Sequence, residues 1–142
     1  MKIFKKNYCT ILKNGKIEIG QIASTKKIWK EEDVKTFAEL CGDFNRIHFE
    51  DNHPIFKHRV VHGMLTASLF SRLIGMKIPG SIYVTQNLNF KKPVYLNEEI
   101  TATVKVEKIK KSFIIFTTTA FNSSNQNVIE GEAVAKVPIE YL

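Results

Sequence analysis

Residues 62–76, HGMLTASLFSRLIGM, are the part of the chain that most limits its fold. On helical spacing Met64, Leu65, Ala67, Leu69, Phe70, Leu73 and Ile74 cover most of a helix circumference. A helix that is apolar nearly all round must be buried nearly all round. The residues after it supply the cover: four segments of strand character, 81–92, 99–110, 112–121 and 127–138, follow with only short breaks. In the first of them Ile82, Val84, Leu88 and Phe90 alternate with Tyr83, Thr85, Asn87 and Asn89. In the last, Gly131, Ala133 and Ala135 alternate between Ile129 and Val137, which predicts a close neighbour against small side chains.

One long buried helix followed by an antiparallel meander predicts an α+β domain in which a curved sheet wraps the helix, the arrangement called the hot-dog fold. At 142 residues the chain is the size of one domain. The expected division is a basic N-terminal extension over 1–15 and a single hot-dog domain over 16–142. Within that domain, residues 16–29 are rich in isoleucine and predict a strand that runs on into a loop.

Upstream of the buried helix the period changes. EEDVKTFAELCG, residues 31–42, places Val34, Phe37, Ala38 and Cys41 at helical spacing, with Glu31, Glu32 and Asp33 in the first turn, where the helix dipole favours acids. Gly42 is the expected stop. An irregular polar stretch from 43 to 59 follows, with Pro54 inside it and histidines at 48, 53 and 58. Its start, CGDFNRIHFE, brings Asp43, Asn45 and His48 close together straight after the helix stop. Taken alone, Asp43 and Asn45 fit an Asx turn as well as they fit a catalytic site, and a lone histidine is more often structural.

The charge adds little. A net charge of +7 raises an acidic partner as a question, but only Arg46, Arg59 and Arg72 among the 21 basic residues are arginines, and no basic stripe is interleaved with stacking aromatics. No nucleic-acid partner is expected. No window has the length of a membrane span, and the lysine-studded start is unlike a secretory leader, so the cytoplasm is the expected compartment and no membrane partner is assigned. Cys9 and Cys41 lack CxxC spacing or histidine partners, so free thiols are expected and no metal site.

With GDFNRIH between two helices and VVHGM opening the second, the chain resembles the MaoC-like family of (R)-specific enoyl-CoA hydratases and 3-hydroxyacyl thioester dehydratases. The family pattern is Gly-Asp-x-Asn-Pro-[Ile/Leu]-His, followed by His-Gly-Met and a helix rich in small residues. The resemblance runs from about residue 16 to the C-terminus. The chain departs from the pattern in three places. Arg46 replaces the usual proline, the segment between His48 and Gly63 is about three residues short, and Lys30 stands where a Ser or Thr N-cap is common.

The resemblance implies hydration of trans-2-enoyl-CoA to the (3R)-hydroxyacyl thioester, or the reverse dehydration, without a cofactor. Such a reaction needs an activated water beside C3, a proton for C2 and a donor for the enolate oxygen. Asp43 and His48 are the expected acid–base pair, with the division of labour open because coupled groups titrate as a unit. Gly63 is the expected oxyanion donor, since an N–H in the first turn of a helix is unpaired and a glycine lets the thioester approach. Asn45 is assigned to holding the loop together, Met64 to substrate binding or support of the site, and Ser71 to the family's serine position; a serine in a buried helix more often bonds its own preceding turn. His62 is read as structural, His53 and His58 as exposed.

The implied substrate is an acyl-CoA, with acyl carrier protein as the alternative carrier. Lys26/Lys27 and Lys91/Lys92 are the expected basic pairs near the tunnel. A homodimer is expected, because one sheet around one helix leaves an edge strand open. A non-catalytic thioester-binding module is the alternative from another class. A thioesterase would place a carboxylate on the central helix, where this chain has Ser and Thr.

Overall fold

The computed structural model describes residues 8–142. The start of the expected basic extension, residues 1–7, lies outside the described residues. From Cys9 on, that stretch touches the domain: Cys9 bridges Ala23, Thr10 N–H donates to the Ile22 carbonyl at 2.8 Å, and Ile11 is buried in the core.

Six strands form one antiparallel sheet: β1 (Ile22–Ile28), β2 (Ile82–Gln86), β3 (Asn89–Phe90), β4 (Glu99–Lys110), β5 (Phe113–Phe121) and β6 (Asn127–Lys136). Their order is β1-β4-β5-β6-β2, with β3 also paired to β6. Two α-helices, α1 (Glu31–Cys41) and α2 (Gly63–Lys77), accompany the sheet among the described residues. β1, β2 and β4 all touch α2, so the sheet curves around that helix. This is the hot-dog fold. Ile100, Ala102, Val104 and Val106 of β4 and Ile114, Phe116 and Ala120 of β5 alternate inward and meet Phe70, Leu73 and Ile74 of α2 in one core. Among the described residues no helix is long and apolar enough to cross a membrane.

Three local differences from the expected elements have physical causes. First, β1 begins only at Ile22, because Gly15 and Gly20 take positive φ (77° and 90°) and fold residues 12–20 into turns. Second, the expected strand over 81–92 is split into β2 and β3 at Asn87. Its backbone lies so close to β6 that a Cβ on Gly131 would stand 1.9 Å from the Asn87 carbonyl oxygen. The small residues of β6 therefore do receive a close neighbour, and at Gly131 that neighbour is main chain. Asn87 N–H donates to the Glu132 carbonyl (3.0 Å), and Glu132 N–H donates to Asn87 Oδ1 (3.0 Å), which fixes the tuck.

Third, the chain's own sheet covers only one side of α2. Leu65, Ala67, Leu69, Phe70, Leu73 and Ile74 are buried, while Met64, Ser68, Ser71 and Gly75 form an open stripe at helical spacing. The adjacent edge is open too: Ile82 is 62% exposed and Val84 49%.

Candidate active site

The first helix ends where the motif begins. Gly42 takes φ 81° and its N–H donates to the Ala38 carbonyl at 2.7 Å, the left-handed stop that only glycine adopts without strain. At the other end Lys30 offers no side-chain cap, and Asp33 Oδ2 accepts the Lys30 N–H (2.9 Å) in its place. Asp43 then opens an Asx turn, Oδ1 accepting from the Asn45 N–H (3.1 Å). Asn45 Oδ1 in turn accepts from the Ile47 N–H (3.4 Å) and starts a 3-10 turn, Arg46–His48. Arg46 makes no kink of its own; its Nε donates to both oxygens of Glu50 (2.8 and 3.0 Å), one turn on, at the surface.

The 3-10 turn carries His48 inward. Its side chain is 7% exposed, against 51% for Asp43, so a buried imidazole meets a carboxylate in contact with solvent. His48 Nδ1 lies 2.7 Å from the Val60 carbonyl oxygen. A carbonyl only accepts, so Nδ1 carries the proton and Nε2 of the neutral ring keeps its lone pair. That Nε2 faces Asp43 Oδ2 at 3.6 Å.

His62, read from the sequence as structural, lies in this cluster. It immediately precedes α2, its ring stacks on His48 with centroids 3.6 Å apart, and its Nε2–H donates to the Asp43 carbonyl at 2.9 Å. Nδ1 of the same ring is buried without a partner, an arrangement that costs about 1–3 kcal/mol. Burial pushes the His62 imidazole below its ordinary value; the Asp43 carbonyl opposes that shift, and the neighbouring His48 charge adds to it. The signal in the sequence was its position directly before Gly63, and its pairing with Asp43 is a long-range contact that spacing does not encode.

Donor atoms of Asp43, His48 and His62 all lie within 4.8 Å of one another, a spacing a metal ion could bridge. Nε2 of His62 is already engaged as a donor to the Asp43 carbonyl.

Beside His48 opens a cavity of about 410 Å³, walled by Ile47, Phe56, Val60, Met64, Phe90 and Val94 among others, with Lys91 and Lys92 in its lining. Gly63 lines it as the first residue of α2. As such its N–H has no partner within the helix. Phe90, which also lines the cavity, packs directly against it, and a Cβ at residue 63 would stand 2.6 Å from the Phe90 ring. Sequence reasoning missed Phe90 because this contact joins β3 to the start of α2. Lys91 is paired with Glu130 at 3.1 Å. Lys26 and Lys27 stand apart from the cavity lining, paired with Glu99 (2.6 Å) and Asp33 (3.6 Å).

The remaining candidates fall as follows. Met64 lines the cavity and is largely exposed. Ser71 is exposed on the open stripe of α2, donating to the Ser68 carbonyl at 3.0 Å, and does not touch the Asp43 cluster. His53 is half-buried and His58 exposed. Cys9 and Cys41 are free thiols.

A family model described as MaoC like domain matches residues 14–128. The chain belongs to the MaoC-like family. Among relatives of this MaoC-like chain, the (R)-specific enoyl-CoA hydratase of Aeromonas caviae is 40% identical over 129 residues, 86% of this chain and 96% of that one. A mitochondrial 3-hydroxyacyl-[acyl-carrier-protein] dehydratase of Arabidopsis thaliana is 33% identical over 141 residues, 94% of this chain and 85% of that one. The solved structure of an (R)-hydratase from A. caviae involved in PHA biosynthesis superposes with a TM-score of 0.83 at 39% identity, covering 87% of this MaoC-like chain and 99% of the other.

Proposed function

We propose that this MaoC-like protein is a hydro-lyase that adds water to trans-2-enoyl-CoA to give the (3R)-hydroxyacyl thioester, or runs the reverse dehydration. The observation that carries this function is the meeting of Asp43 Oδ2 and His48 Nε2, 3.6 Å apart, beside a cavity lined by Gly63, the first residue of α2. A water that reaches both groups bonds through its oxygen to C3 as the pair takes its proton. The electrons of the C2–C3 double bond move onto the thioester oxygen, and the Gly63 N–H at the positive end of α2 stabilises that oxygen by donating a hydrogen bond to it. The pair then returns a proton to C2. The net change is one water added, with the site restored and no cofactor consumed.

Asp43 and His48 act as one unit, and the Asx turn at Asn45 keeps them in register. The hand of addition follows the hydratase relatives.

Two relatives act on different carriers, coenzyme A and acyl carrier protein. Both carriers end in phosphopantetheine, so the pair of catalytic groups serves either. Coenzyme A is favoured because the cations on the cavity are few, with Lys92 beside an already paired Lys91, enough for a phosphate and too few for a broad acidic docking face.

The open stripe of α2 and the exposed apolar edge at Ile82 and Val84 support a homodimer, in which a second copy covers both.

The test is crotonyl-CoA with the purified protein, followed by loss of enoyl absorbance. Product coupled to an (S)-specific hydroxyacyl dehydrogenase should yield no NADH. Absence of turnover with both crotonyl-CoA and its carrier-protein thioester would sink the assignment.

A further inference from the structure

We propose that His62 is a positioning residue for this reaction, holding the Asp43 loop through its Nε2–H and the His48 ring through its face, at the start of the helix that presents Gly63. The inference rests on the hydratase function above. Four observations converge on it. His62 is 2% exposed, its ring lies 3.6 Å from that of His48 at an interplanar angle of 23°, its Nε2 donates to the Asp43 carbonyl at 2.9 Å, and its Nδ1 is buried without a partner.

A ring present only to fill the core would pack as well without nitrogens and would leave nothing unpaired. His62 instead spends one nitrogen on the main chain of the residue that supplies the carboxylate. The stack serves the other half of the pair. His48 is tethered at one edge, by Nδ1 to Val60, and a ring held at one edge can still swing about that bond. The face of His62 removes that freedom and leaves Nε2 aimed at Asp43. Small misplacements of such groups cost a large share of rate.

The groups facing His62 are Asp43 from the loop, His48 from the 3-10 turn, and the apolar rings of Phe37 from α1 (5.0 Å) and Phe49 (6.5 Å). His48 is the one other imidazole in contact. Burial pushes the His62 imidazole toward its neutral form, and positive charge on the neighbouring His48 would push it the same way.

Two substitutions separate the tether from the stack. His62→Phe keeps a ring against His48 and loses the donor; His62→Gln keeps an N–H donor and loses the ring. Each should lower kcat about tenfold or more with KM changed less than about twofold, the pattern of lost positioning in a bound complex. In His62→Phe the Asn45 amide should exchange with solvent faster while amides in the middle of α2 keep their protection. In the wild type, ¹⁵N spectra of the imidazoles should show the proton on Nε2 of His62 and on Nδ1 of His48. Wild-type kcat in a folded His62→Phe protein, or a His62 protonated at Nδ1, overturns the proposal. Should His62→Phe not fold, His62→Gln and the wild-type spectra decide. A wild type that hydrates no enoyl thioester defeats the hydratase function instead, and the spectra and amide exchange then report separately on whether His62 holds the loop.

Discussion

The Nδ1 of His48 and the carbonyl oxygen of Val60 are 2.7 Å apart, and this one bond decides which nitrogen of the histidine is free to take a proton. Val60 is itself a fixed acceptor. Its N–H donates to the Ile47 carbonyl at 3.0 Å, it bridges Tyr95, and the next residue donates to the Val94 carbonyl at 2.7 Å. The segment between His48 and Gly63 thus holds the tautomer of His48 from behind.

Asp43→Asn and His48→Ala should each reduce enoyl-CoA hydration by about a hundredfold or more, the range for removal of a general acid–base group. Asp43 is half exposed, so Asp43→Asn should leave stability unchanged, whereas His48 is buried against Val60 and His62, so His48→Ala should lower Tm while the chain still folds. Turnover and circular dichroism are to be measured on the same samples; a folded variant at wild-type rate refutes the assignment of that residue.

Gly63→Ala should be coupled to Phe90. The added methyl meets the Phe90 ring at 2.6 Å, and because that ring is 53% exposed it can swing away. The single variant should therefore fold with a lowered Tm and lowered kcat/KM. Adding Phe90→Ala should recover stability, with a coupling energy of about 0.5–3 kcal/mol in a thermal double-mutant cycle. Additive effects would mean that the two residues do not press on each other.

His62 makes stability depend on pH in a stated direction. Its folded-state value lies below the ordinary 6.5, so above that pH the ring is neutral in both states and stability is complete. As pH falls through 6.5 the unfolded chain takes up the proton first, and stability drops until the folded ring also protonates. Between pH of about 7.5 and 5.5 the Tm of the wild type should fall further than that of His62→Phe. Equal slopes would remove His62 from the account.

The protein should sediment as a dimer at micromolar concentration, and Val84→Asp should shift it toward monomer by placing a charge on the apolar edge. A wild-type monomer at that concentration counts against the pairing.

Comparing the same crotonyl group on coenzyme A and on acyl carrier protein, at low and high salt, tests the carrier. Higher kcat/KM on coenzyme A is expected. A preference for the carrier protein that collapses with salt would reverse the choice and leave the Asp43/His48 chemistry standing.

Much of the fold could be read in the sequence because its signals are local. The alternation over residues 99–110 became β4 with the same bounds, and the glycine after Cys41 closed α1 as its φ requires. Where pairing depends on distant residues, periodicity was silent. The break at Asn87 is made by β6, and the open side of α2 reflects how far one sheet can reach. At the site, Asp43 and His48 share a short motif and were visible together. His62 and Phe90 were not, since each acts on a partner brought close only by folding.

The tuck of Asn87 against Gly131 also bears on how the protein behaves when concentrated. With the register shift between Tyr83 and Thr85, it cuts the open edge of the sheet into lengths of five and two residues that do not run straight on. An incoming strand can pair with so short a template once, in a closed and self-limiting way, but finds no long flat rail along which further copies could stack. Filament growth is thereby disfavoured at an edge that is otherwise apolar enough to invite it.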